Sequence, residues 1–138
     1  MTKLALKLCF EGHRDMIDKS GLPYVFHPFH LAEEMKDENT TVVALLHDLI
    51  EDTEHTLDEL AALGFSEEVL SAIALMTHDS GTPYMEYVAN IKKNAIARAV
   101  KLADLKHNSD MTRLDKITPE DERRAEKYRK AIELLEDI

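Results

Sequence analysis

The chain has 138 residues, enough for one domain with a single sizeable core, and its four Gly, four Pro and lack of any low-complexity tract leave little room for a linker. Apolar residues make up 44% and charged residues 32%, an ordinary globular balance, while a formal net charge of −10 without a clustered basic face argues against nucleic acid or a membrane as partner. One cysteine excludes an internal disulfide framework, and with no signal peptide or membrane-spanning run in view a cytoplasmic setting is expected.

Helical periodicity opens the chain in "LALKLCFEGHRDMI", where Leu4, Leu8 and the Cys9/Phe10 pair fall near helical spacing. Cys9 reads there as a small buried hydrophobe rather than a nucleophile. "DKSGLPYVFHP" breaks the pattern: Gly21 and Pro23 punctuate it, and Pro28 suits the first turn of a second helix running to about Lys36. "DENTT" then supplies capping chemistry for a third helix, "VVALLHDLI". Thr56 and Glu59 have capping-box spacing and open a short helix that Gly64 is placed to end. Ser66 caps "EEVLSAIALMTH", "DSGTP" is a loop, and "YMEYVANIKK" and "NAIARAVKLADLKHN" read as helices divided near Asn94. The last helix has Thr118 as N-cap, Pro119 first, acids in its first turn and cations further along. No segment alternates over strand length. The prediction is an all-α, single-domain bundle of about seven to eight helices covering residues 1–138.

The chemistry gathers in "VVALLHDLIED". On a continuous helix His47 and Glu51, Asp48 and Glu51, and Asp48 and Asp52 are three or four apart, so all four can line one patch. Three carboxylates gathered at the end of an apolar helix repel one another and lose hydration. A divalent cation resolves that conflict, and a His/carboxylate donor set suits Mn, Fe, Zn, Co or Mg. The plainer alternative is a helix end running into water. Two further segments bear on the choice. "YVFHPFHLAEEM" places His27 just before a proline-started helix, with His30 a turn later, where a packed or hydrogen-bonded histidine is the plainer reading. "VKLADLKHNSD" places Asp104 among apolar neighbours with Asn108 on the same helix face.

These three segments, in this order, resemble the HD-domain metal-dependent phosphohydrolases, and most closely the hydrolase half of the Rel/Spo enzymes that degrade guanosine tetra- and pentaphosphate alarmones. "SGLPYVFHP", "ALLHDLIEDTEHTLDEL" and "VKLADLKHN" look like that family's motifs, and the resemblance runs from about Gly12 to Leu114. It implies an HD-type helical fold and a small stand-alone hydrolase of the 3′-pyrophosphate of a guanosine nucleotide. By the resemblance His27, His47, Asp48 and Asp104 match the metal ligands, usually for Mn. Glu51 and Asp52 match the acidic pair that handles the attacking water. Lys19 and Asn108 match substrate-binding residues, Asn108 near the sugar. His13 matches a histidine late in the first helix, its role open.

One position departs from the pattern. The family usually has an arginine, packed on the guanine base, before the lysine of its "KSG" segment; here it is Asp18, which cannot stack as a guanidinium does. Arg14, one helical turn earlier, is a candidate replacement. A second His-Asp dipeptide, His78-Asp79, has no acidic pair a turn later and reads as structural or as pocket rim. Tyr84, Tyr87, Lys92 and Lys93 read as a solvated helix face before a nucleotide contact, and Tyr128 is placed to close over a base. The competing functions are an HD phosphohydrolase for another nucleotide or phosphoester, a non-catalytic metal- or nucleotide-binding regulator, and a plain helical interaction module.

Overall fold

The computed structural model describes residues 1–110 and 116–137, and the C-terminal end of the motif-bearing span, up to Leu114, lies outside the described residues. Nine helices are present among the described residues. They are α1 (Thr2–His13), α2 (Phe26–Glu34), α3 (Glu38–Leu46), α4 (Leu49–Asp52), α5 (Leu57–Ala62), α6 (Glu67–Met76), α7 (Tyr84–Lys92), α8 (Ala95–Asn108) and α9 (Pro119–Glu136). The only extended pairing among them is an isolated bridge between Ile17 and Pro23.

The architecture follows from α3. Its residues Val42 to Leu46 are all buried, together with Thr40, and a helix apolar on every side has to sit at the centre of the fold. It packs against α1, α2, α6 and α8, while α9 lies along α7 and α8. Leu31, Leu49, Leu60, Ile73, Ile91, Leu105 and Leu135 bring seven other helices into the same core. No helix among the described residues is long and apolar enough to cross a membrane.

The local signals act as the residues dictate. Asp37 accepts from the Thr40 N–H at 2.8 Å and starts α3. Thr56, Ser66 and Asn94 cap α5, α6 and α8 in the same way. Thr118 and Asp121 form the reciprocal capping box of α9. Gly64, at φ +100°, ends α5 where a Cβ would be strained. The Thr56/Glu59 box is only half formed, because the Glu59 carboxylate turns to His55 instead.

The third helix is not continuous as its sequence predicts. It ends at Leu46, His47 and Asp48 form a turn, and a single further turn, α4, carries Glu51 and Asp52. Asp48 sits at φ −95°, ψ −7°, off the helical optimum. That small unwinding accounts for nine helices where about seven to eight were expected.

Candidate metal centre and adjoining cleft

Three elements converge on one buried point. His27 comes from the first turn of α2, His47 from the turn after α3, and Asp104 from the middle of α8. All three are buried, and one ligand atom of each lies within 4.8 Å of the others. His27 Nε2 stands 2.7 Å from Asp104 Oδ1, and His47 Nε2 stands 3.6 Å from the same oxygen.

The orientation of His47 is the decisive detail. Its Nδ1–H donates to the Ala44 carbonyl at 2.7 Å, which leaves the lone pair on Nε2. That Nε2 is buried without a hydrogen-bond partner and faces Asp104 and Asp48. Between two carboxylates, that nitrogen favours positive charge beside it: a proton on Nε2 in the free site, or a cation held by its lone pair. Burial opposes charge on His47, yet Asp48 and Asp104 outweigh it and hold the imidazole pKa well above its ordinary value, another sign of a site built for positive charge.

Asp104 is the hub. Burial would raise its pKa, but Lys101, His27 and His47 together hold it well below the usual carboxylate range. Lys101 donates to its Oδ2 at 3.1 Å and Asn108 to its Oδ1 at 3.1 Å. Lys101 itself stays charged, its pKa raised by Asp104 against the pull of burial. Asp48 stands at the edge of the three-residue cluster, 3.2 Å from His47 Nε2, and accepts the Tyr24 hydroxyl proton through Oδ2. Burial and Asp48 push the Tyr24 pKa up, so Tyr24 remains a donor.

The acidic pair separates. Glu51 accepts the backbone N–H of His78, and Asp52 stands 3.1 Å from His13 Nε2. The patch expected on one helix face is therefore divided: His47 and Asp48 face the buried cluster, while Glu51 and Asp52 are exposed at its mouth and held by different elements.

A cleft of about 330 Å³ lies beside the cluster, joined to it by Tyr24, which bonds Asp48, and by Asn108, which bonds Asp104. Asp18, Lys19 and Tyr24 line it together with Asn108 of α8 and Arg124 and Tyr128 of α9. Lys19, Asn108 and Tyr128 all line this one cleft. Arg14 does not: it is exposed, 3.9 Å from Asp15 and away from the cleft. The guanidinium in the wall is Arg124, oriented by Asp121 at 2.9 Å. Asp18 has a structural task, accepting the N–H groups of Ser20 and Leu22 at 2.8 and 3.0 Å and so closing the loop that carries Lys19.

The remaining histidines and tyrosines sort themselves out. His30 is half-exposed and paired with Glu34. His78 stacks on Tyr87 and donates to the Thr82 carbonyl, a structural role that also aims its amide at Glu51. Tyr87 is buried and donates to the Met76 carbonyl rather than facing a ligand. Burial lifts the Cys9 thiol to about 12, with Asp48 adding to it, so it is inert. Sequence reasoning missed His107 and Arg124. His107 Nδ1 lies 2.6 Å from His27 Nδ1 and so fixes the His27 ring from behind. The His-Asn pair of "LKHN" is the one signal that pointed to it.

No family model matches the chain. Similarity to individual proteins covers most of it. A "Probable guanosine-3′,5′-bis(diphosphate) 3′-pyrophosphohydrolase" of Synechocystis sp. is 33% identical in an alignment of 143 positions that covers 93% of this chain and 18% of that protein. The human "Guanosine-3′,5′-bis(diphosphate) 3′-pyrophosphohydrolase MESH1" is 36% identical over 124 residues, 80% of this chain and 68% of its own length. MESH1 of Danio rerio is 33% identical over 123 residues, with 80% and 67% covered. The chain therefore spans under a fifth of the bacterial relative and about two thirds of the MESH1 proteins. A solved structure described as a metazoan ortholog of SpoT that hydrolyzes ppGpp superposes with a TM-score of 0.81 at 24% identity, over 99% of this chain and 85% of that one. The fold is shared.

Proposed function

The chain belongs to the guanosine-3′,5′-bis(diphosphate) 3′-pyrophosphohydrolase family, and on that premise we propose that it removes pyrophosphate from the 3′ position of guanosine tetra- or pentaphosphate with a divalent metal, manganese first among the candidates. The observation that carries the reading is the buried Nε2 of His47, facing the two carboxylates beside it, in a cluster that Tyr24 and Asn108 connect to a cleft of nucleotide size. The donor set of imidazole nitrogens and carboxylate oxygens fits Mn, and equally Fe, Zn, Co or Mg. His27, His47, Asp48 and Asp104 would hold it. Bound there, the metal would supply Lewis-acid polarisation of a phosphoryl oxygen and lower the pKa of water.

The chain's own groups do the rest. Lys19 and Arg124 offer the phosphates positive charge in an otherwise acidic protein, and Arg124 is held in place by Asp121. Tyr128 presents a ring to the base. Asn108 touches both the cleft and Asp104, so it links nucleotide position to the metal cluster. Glu51 and Asp52 receive and orient the water at the mouth of the cluster, Glu51 fixed by a backbone amide. A cytoplasmic setting remains part of this reading. Asp18 in the cleft wall favours, as the second reading, a different nucleotide or phosphoester as substrate.

Product analysis tests it. Manganese-loaded protein incubated with guanosine tetraphosphate should yield guanosine diphosphate and pyrophosphate, and Asp48→Ala should yield neither. No product from a protein shown to hold manganese would overturn the alarmone reading and favour another phosphoester.

A further inference from the structure

Glu51 and Asp52 are adjacent acids with unlike partners. Glu51 meets a backbone N–H, a donor with a fixed proton. Asp52 meets an imidazole that is completely buried, although its own carboxylate is 34% exposed and has solvent to bond with. A wholly buried histidine spent on a half-exposed carboxylate calls for an explanation.

The ring's two nitrogens supply one. His13 Nδ1 lies 3.1 Å from the Cys9 carbonyl, which only accepts, so Nδ1 carries a hydrogen. Nε2 faces Asp52 Oδ2 at 3.1 Å. With a neutral ring and an ionised carboxylate, that contact sets lone pair against lone pair. One added proton, on either atom, turns it into a hydrogen bond. The contact is therefore built to take up a single proton, and because only Asp52 reaches solvent, the proton enters from the Asp52 side.

The surroundings protect this arrangement. The titratable groups facing the pair are Cys9 on α1, its sulfur 4.0 Å from Nδ1, and Tyr24, its ring 5.2 Å from that of His13. Both hold their own protons, and the Tyr24 hydroxyl is committed to Asp48. Gly12 lets α1 come close enough: a Cβ there would stand 2.7 Å from Leu49 Cδ1 and 3.1 Å from Thr53 Cγ2, atoms at either end of the turn that carries Asp52.

We propose that His13 is a positioning residue for Asp52 and holds at Nε2 the proton that Asp52 takes from the attacking water. The proposal rests on the hydrolase reading above. In that step the water oxygen bonds to phosphorus, and the bond from phosphorus to the 3′ oxygen breaks with its electron pair on that oxygen. One water proton passes to the Asp52–His13 pair, and the 3′ oxygen takes a proton from solvent. The pair then returns its proton to solvent through the exposed edge of Asp52.

His13→Gln tests the assignment, because its amide can donate to Asp52 from the same place but cannot accept a proton. Expected is a fall in kcat of about 100-fold with guanosine tetraphosphate, a flattened pH profile, and a KM, manganese affinity and melting temperature close to those of the parent. A parental kcat and pH profile would overturn the proposal. A second measurement does not depend on substrate or on His13→Gln. In the magnesium-loaded parent, nitrogen NMR of the imidazoles reads the protonation of Nε2 of His13, and Asp52→Asn should change that signal. An Nε2 signal indifferent to Asp52→Asn also overturns the proposal. If the parent protein cleaves no guanosine tetraphosphate, the substrate reading fails, and the imidazole spectra still rule for or against the shared proton.

Discussion

At the scale of single residues, Asp18 joins two tasks that a substitution can separate. Its Oδ1 closes the loop beneath Lys19, and its charge sits in the wall of a cleft proposed to hold an anion. Asp18→Asn keeps an oxygen for the Ser20 and Leu22 amides and removes the charge. At a separation near 8 Å and an effective dielectric between those of protein surface and water, one charge is worth about 1 kcal/mol. The expected result is a KM roughly 5-fold lower with unchanged melting temperature, read from steady-state kinetics and a thermal scan. Asp18→Arg, the change that restores the family's usual residue, loses both loop bonds. Its thermal midpoint should drop, each bond being worth about 1 kcal/mol. An Asp18→Asn protein whose KM stays put would mean the phosphates bind away from this wall. The same residue shows what was legible beforehand. That Asp18 cannot stack on a base follows from its chemistry; that it builds a turn, and that Arg124 arrives from a helix 106 positions later in the chain, follows only from the folded path.

The helices show the same division between local and long-range information. Caps at Thr56, Ser66, Asn94 and Thr118 are written in residue type and spacing, and each forms. The break after Leu46 is not, because "LLHDLIED" has helical periodicity throughout and no Gly or Pro. What ends α3 is tertiary: His47 and Asp48 face His27 and Asp104, while Leu49 remains in the core. The resulting turn, α4, is only four residues long, too short to hold itself, and it relies on α1 for support. Gly12 is the point of closest approach. Gly12→Ala would gain up to about 1 kcal/mol in an isolated helix. Here the new methyl meets the fully buried Leu49 at 2.7 Å, and overpacking of that kind costs about 1–3 kcal/mol. A urea titration should therefore show net destabilisation of about 1 kcal/mol. The kcat should fall further than that loss explains, since Leu49 moves together with Glu51 and Asp52. A stabilised, fully active Gly12→Ala protein would show that α4 is positioned by something other than this contact.

For the molecule as a whole, charge is the organising constraint. The net charge of −10 opposes binding of a polyphosphate, and the interior already contains Asp104 and the edge of Asp48 around an unpaired imidazole nitrogen. Lys101 offsets Asp104, while Asp48 is met by Tyr24 and His47 and by no Lys or Arg among the ion pairs of the described residues. The centre draws on three separate elements, α2, the turn after α3, and α8. A cation bound there ties together the helices that enclose α3, so metal binding and fold stability are linked. A ligand held only by the folded state stabilises it by about 2.7 kcal/mol at 100 times its dissociation constant. For a domain of this size that corresponds to a rise of roughly 10 °C in melting temperature. Scanning calorimetry on chelator-treated protein, with and without saturating manganese, should show that gap. Asp48→Ala should show much less of it, because it removes a proposed ligand while leaving the His27–Asp104 contact intact. Equal melting temperatures with and without manganese would mean that the three elements are held by their own hydrogen bonds and that the centre is not a metal site.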